Sequence, residues 1–185
     1  MHKQEAAAAG EGEGAAKGRL HHAEFYGNLY REAESLVSGE DDLIANTANI
    51  ASLVYHALNE RQSNTTNWVG FYFVRSRETK GEELVLGPFQ GKVACIRIAK
   101  GKGVCGTCWN TKQGIVVPDV HKFEGHIACD SASESEIVLP IIDPSTGEVK
   151  GVFDIDSPHK NTFTEEDRDG LQPFADLIAK ACRWF

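Results

Sequence analysis

Apolar positions Phe25, Leu29, Ala33 and Leu36 recur at three- and four-residue spacing, one face of a helix over residues 20–36 that Ser38-Gly39 would close. The pattern resumes from Asp41 to about Glu60, with Ile44, Ala51, Val54 and Leu58 on one stripe. The polar run Gln62 to Asn67 predicts a loop. Then the texture changes: Trp68 to Val74 is aromatic and β-branched and predicts a strand. Glu82–Leu86 and Lys92–Ile98 predict two more, joined through Gly87-Pro88-Phe89-Gln90-Gly91. Gly101-Lys102-Gly103-Val104 leads into a short helix over Cys105–Thr111, followed by a short strand at Ile115–Val117. Ile137–Ile142 and Val149–Asp156 are stronger strands, separated by the turn Asp143-Pro144-Ser145-Thr146-Gly147. Thr164-Glu165-Glu166-Asp167 supplies an N-cap and a capping-box acid for a last helix, whose buried face would be Leu171, Phe174, Ile178 and Ala181. Two helices, consecutive strands with a small helical insertion and a closing helix describe an α+β sheet flanked by helices, not a βαβ chain. Neither an internal repeat nor a second domain is evident, so a flexible tail over 1–19 and a single domain over 20–185 are expected.

Bulk composition narrows the function. A chain of 185 residues, 41% hydrophobic and 25% charged, can bury a core without disulfide staples. A net charge of -8 argues against broad binding to nucleic acid or anionic membrane. No apolar run approaches the roughly 20 residues that span a bilayer. Met1 to Arg19 is rich in Ala, Gly and Glu and has no signal-peptide core, so a cytoplasmic location with reduced thiols is expected.

Reduced thiols matter because four of the five cysteines, Cys95, Cys105, Cys108 and Cys129, fall in one stretch. Cys105-Gly106-Thr107-Cys108 with His126-Ile127-Ala128-Cys129 has zinc-ligand spacing, but it leaves Cys95 over, and a core of this size does not need a metal. No metal is therefore expected. Simple packing suits Cys182, beside Ala181 on the last helix, and also Cys95, which would share one side of a strand with Val93 and Arg97. Redox catalysis accounts for more of the set. Cys105 stands near a predicted helix start behind Lys102, a setting that favours thiolate, whereas Asp130 beside Cys129 opposes it. A thiolate that attacks oxidised sulfur becomes a sulfenic acid, which a second cysteine must resolve.

Carboxylates complete the picture. Glu136 opens a strand, and Asp154 and Asp156, two apart, project to one face of another. Such a pair is ordinarily solvated. Following Val152 and Phe153 in a central strand, it needs a cationic partner or hydrogen-bond donors instead, and an α-ammonium group is a natural candidate.

Several segments, in order, resemble the free methionine-(R)-sulfoxide reductases. They include Asn67-Trp68-Val69-Gly70-Phe71-Tyr72, Ala94-Cys95-Ile96, Gly101-Lys102-Gly103-Val104-Cys105-Gly106, Gly125-His126-Ile127-Ala128-Cys129-Asp130 and Gly151-Val152-Phe153-Asp154-Ile155-Asp156-Ser157. The resemblance runs from about Phe25 to the C-terminus. It implies a GAF-like fold, with a central antiparallel sheet of about six strands between N-terminal and C-terminal helices. It further implies reduction of the R-sulfoxide of free methionine without a bound cofactor. Thioredoxin would be the electron donor, itself reduced by NADPH through thioredoxin reductase, and a homodimer is the family expectation. By motif, Cys129 matches the catalytic cysteine, and Cys95 and Cys105 match the recycling pair, with Cys95 the first choice to close a disulfide on Cys129. Glu136, Asp154 and Asp156 match the pocket acids, and Trp68 and Tyr72 match pocket-lining positions. Cys108 departs from the three-cysteine pattern. A ligand-sensing GAF module and a zinc-stabilised interaction domain are the rival readings, the first weakened by the lack of an output domain in so short a chain.

Overall fold

The computed structural model describes residues 22–78, 81–127 and 129–184, so the expected tail over 1–19 lies outside the described residues. Helix α1 covers residues 22–37, and α2 covers Leu43–Arg61. Strands β1 (Trp68–Arg77), β2 (Gly81–Gly91) and β3 (Arg97–Ala99) follow, then α3 (Gly103–Thr111) and β4 (Ile115–Val117). A 3-10 turn at Val120–Lys122 precedes β5 (Ser135–Ile142), β6 (Val149–Ser157) and α4 (Glu165–Ala181). The six strands form one sheet in the order β3-β2-β1-β6-β5-β4, and every neighbouring pair is antiparallel.

Strand parity divides the molecule into two cores. Val69, Phe71 and Phe73 of β1, Ile137, Leu139 and Ile141 of β5, and Phe153 and Ile155 of β6 pack under α1, α2 and α4. The opposite face, with Trp68, Tyr72, Val138 and Val152, packs against α3. Every second residue of β5 and β6 therefore looks toward α3, and Glu136, Asp154 and Asp156 share that parity.

Some expected details differ. The buried stripe of α1 is Tyr26, Leu29, Ala33 and Val37, and Leu36 is exposed. On α2, Leu43, Ile50, Ala51, Val54 and Leu58 are buried while Ile44 is exposed. Three- and four-residue spacing fixes a stripe only to within one position, and packing against the sheet selects the register. Cysteine 182 is buried, as a packing role requires.

The largest departure is in β2. Gly87 to Gly91, expected as a connection, continues the strand as far as Trp68, which pairs with Gly91. Gly70 pairs with Phe89 and Tyr72 with Leu86, so Gly87 and Pro88 together face the single residue Phe71. A bulge of this kind absorbs the proline that lacks an N–H, and a Cβ on Gly87 would lie 2.5 Å from the Phe73 ring. The expected strand over Lys92–Ile98 shrinks correspondingly to Arg97–Ala99. Val93, 85% exposed, does not share a buried strand face with Cys95.

Candidate active site

Three carboxyls form the floor of the site. Register sets Trp68 opposite Asp156 and Asp156 opposite Glu136, one row across β1, β6 and β5. In the next row Gly70 lies opposite Asp154, which lies opposite Val138. Gly70 carries no side chain because the Trp68 indole occupies that space: a Cβ there would be 2.4 Å from the ring. The first turn of α3 supplies a wall with Gly103, Val104 and Cys105. The loop before β5 closes the roof with His126, Ile127, Cys129, Asp130 and Ser133. Together they enclose a cavity of about 30 Å³.

That roof is tethered twice. Asn67 Nδ2 donates to Asp130 Oδ2 at 3.2 Å and to Ser133 Oγ at 3.1 Å, joining the loop to the start of β1. A Cys95–Cys129 disulfide, with Cα atoms 5.2 Å apart, links it to the segment between β2 and β3. The pairing matches the one the family resemblance implied. Trp68 Nε1 donates to Lys92 O at 3.1 Å and steadies that segment from below.

The electrostatics are those of a site short of positive charge. Burial, then Glu136, holds the Asp154 carboxyl well above its ordinary range. Burial, then Asp154, does the same for Asp156, and burial, then Asp156, for Glu136. His126 Nε2 lies 3.4 Å from Glu136 Oε2, a distance that would suit an ion pair. Burial lowers the His126 pKa, however, and raises that of Glu136, so both lean neutral and the contact is not read as an ion pair. Lys102, also at the cavity, is exposed at its rim.

Cys105 contradicts its expected activation. Its sulfur donates to Asp154 Oδ2 at 3.3 Å, and burial followed by Asp154 and Glu136 pushes the thiol well above its ordinary pKa. Desolvation and two facing carboxyls outweigh the helix amides and the exposed Lys102. Cys108 is wholly buried and directs its sulfur to Val138 O at 3.7 Å, while Cys129 is bonded to Cys95, so the zinc knuckle suggested by spacing is not assembled.

Of the residues singled out from sequence, Cys129, Cys105, Glu136, Asp154 and Asp156 line one cavity. Cys95 reaches it through the disulfide. Trp68 and Tyr72 do not line it; they stack on one another, and Trp68 stacks also on Phe89, in the core behind the acids. The Tyr72 phenol is close enough to feel them, because burial and then Asp154 raise its pKa. Sequence reasoning missed Asn67 and Ser133. Both are small polar residues whose roles depend on two distant segments meeting, and no local pattern marks them.

The GAF domain family profile matches residues 47–182. The free methionine-R-sulfoxide reductase of Escherichia coli is 44% identical over 161 residues, 87% of this chain and 90% of that protein. This chain belongs to that family. The free methionine-R-sulfoxide reductase of Saccharomyces cerevisiae is equally similar, 44% identical over 163 residues and 88% of each chain. Among solved structures, the Neisseria meningitidis free methionine-R-sulfoxide reductase in complex with its substrate superposes with a TM-score of 0.77 at 42% identity, covering 86% of this chain and 89% of that one. The antiparallel α+β architecture is thus the family fold.

Proposed function

We propose that this chain reduces the R-sulfoxide of free methionine to methionine, with Cys129 as the attacking thiol. The observation that carries the reading is the convergence of three cation-poor carboxyls, Glu136 and Asp154 buried and Asp156 half-buried, on the cavity that Cys129 also lines. A free amino acid brings the ammonium that such carboxyls lack. A methionine inside a peptide has an uncharged amide in its place, so the acids select for the free substrate. The R preference comes from the named relatives.

Carboxyls with raised pKa serve two tasks. An ionised one receives the ammonium, and a protonated one donates to the sulfoxide oxygen, which makes the sulfur more electrophilic. The Cys129 thiolate attacks that sulfur, the S–O bond breaks, methionine leaves, and Cys129 retains the oxygen as sulfenic acid. The Cys95 thiol then attacks the Cys129 sulfur, water departs, and the Cys95–Cys129 disulfide forms. Two electrons and two protons from the dithiol of thioredoxin restore both thiols, so one sulfoxide is reduced per dithiol oxidised. Cys105 is kept as the second recycling thiol because it lines the same cavity. Trp68 is proposed to meet the substrate's methyl group once the roof has opened. A cytoplasmic location and a homodimer belong to the same proposal, the homodimer on family resemblance alone.

The test is thioredoxin-coupled oxidation of NADPH with free and peptide-bound methionine sulfoxide of each epimer. Turnover is expected with the free R epimer and should be at least about 100-fold slower with the others. Equal rates on peptide substrates would refute the role given to the acids. Cys129→Ser should abolish turnover. Cys95→Ser should release about one methionine per chain in a single turnover and then stop.

A further inference from the structure

Asp154 is 6% exposed, and its Oδ1 meets no hydrogen-bond donor among the described residues. The neighbouring acceptor is the Glu136 carboxyl, and two acceptors facing each other in a buried site require a proton or a cation between them. The third group at this point is a thiol, not an oxygen. One ligand atom from each of Cys105, Glu136 and Asp154 lies within 4.8 Å of the other two.

We propose that Cys105, Glu136 and Asp154 form a binding site for a zinc-type divalent cation, with a water as fourth ligand. The spacings suit such an ion. A tetrahedral zinc with bonds of about 2.0–2.3 Å holds its ligands roughly 3.5 Å apart. Cys105 Sγ and Asp154 Oδ2 are 3.3 Å apart. A thiolate ligand favours zinc over magnesium or calcium, which prefer all-oxygen sites. A cavity of about 30 Å³ has room for an ion and little more. Binding involves no redox change. The thiol proton and any proton shared by the carboxyls leave to solvent, and zinc–sulfur and zinc–oxygen bonds take their place.

The other acidic cluster, Asp119, His121 and Glu134, carries no such proposal, because Lys160 already bridges Asp119 and Glu134. The zinc site shares its residues with the proposed reaction, so ion and substrate would compete, but the two readings are tested separately. A chain that binds zinc yet leaves sulfoxides untouched would overturn that reaction and keep the site, and the converse holds.

The experiment uses the full chain with the Cys95–Cys129 disulfide intact, which leaves Cys105, Cys108 and Cys182 as the free thiols. After chelator treatment the protein is titrated with Co²⁺ and then with Zn²⁺. The expected result is about one equivalent of Co²⁺ per chain, with a thiolate-to-cobalt charge-transfer band that Zn²⁺ abolishes. Cys105→Ser should lose the band, Cys108→Ala should keep it, and Asp154→Asn should weaken binding by about tenfold or more. Absence of the band in the parent chain, or its survival in Cys105→Ser, overturns the site. Anomalous diffraction at the zinc edge on the parent chain does not depend on how the variants fold. A peak between Cys105, Glu136 and Asp154 supports the proposal, and a peak elsewhere rejects it.

Discussion

Asp154 shows how far a single residue can depart from its sequence expectation. The spacing of Asp154 and Asp156 correctly places both on one sheet face, and the need for a cation follows from the apolar residues before them. What the spacing omits is that Glu136 approaches from β5 with no lysine or arginine paired to it among the described residues. With its folded pKa raised by burial and Glu136, Asp154 stays protonated in the folded chain at pH values where the unfolded chain has already ionised. Its contribution to stability is therefore full below an unfolded pKa of about 3.9 and is lost as pH climbs through the folded value. Asparagine mimics the protonated form. Asp154→Asn should flatten the decline of Tm as pH rises above about 3.9 and on the alkaline side exceed the parent by about 2–4 °C, equivalent to roughly 1 kcal/mol. It should also cost most of the activity. An unchanged slope in a melting series would mean the carboxyl is ionised in the folded protein. Cys105 teaches the opposite lesson. Its neighbours in the chain suggested a thiolate, and its neighbours in space enforce a thiol.

At the scale of elements, the parts governed by local chemistry were the most legible. Strand β4 is found at Ile115–Val117 as expected, and the capping box of α4 forms in both directions. Thr164 Oγ1 accepts from Asp167 N at 3.3 Å, and Asp167 Oδ2 accepts from Thr164 N at 2.8 Å. Asp167 Oδ1 also accepts from the Tyr26 hydroxyl at 2.8 Å, so the cap fastens α1 to α4. Thr164→Ala should lower stability by about 1 kcal/mol, seen as a fall in Tm of roughly 2–4 °C. A drop much larger than that would mean the tie to α1 fails with the cap. Strand β2 was the least legible element. Glycine and proline read locally as a break, but β1 alongside holds them in a bulge, and only the partner strand carries that information.

For the molecule as a whole, the disulfide and the cavity are one fact. The bond between Cys95 and Cys129 holds the roof over a space of about 30 Å³, enough for about one or two waters and too small for an amino acid. Methionine should therefore bind the reduced chain and fail to bind the disulfide form. Calorimetric titration of both forms tests this, and equal affinities would show that the roof opens without breaking the bond. If the prediction holds, release of product and recycling are coupled, since the site closes only after methionine has left.

What the sequence determined by itself was whatever repeats within a few residues. That covers the helices, all six strands at least in part, the face shared by Asp154 and Asp156, the cap at Thr164, and the motifs that mark the family. The tertiary structure decided which of those faces meet. It set Glu136 against Asp156, buried Cys105 beside Asp154, kept Trp68 and Tyr72 behind the acids, and used Asn67 and Ser133 to fasten the roof. The reason is physical. Period and propensity are local, whereas burial, antiparallel register and the balance of charge in a cavity arise between segments far apart in the chain.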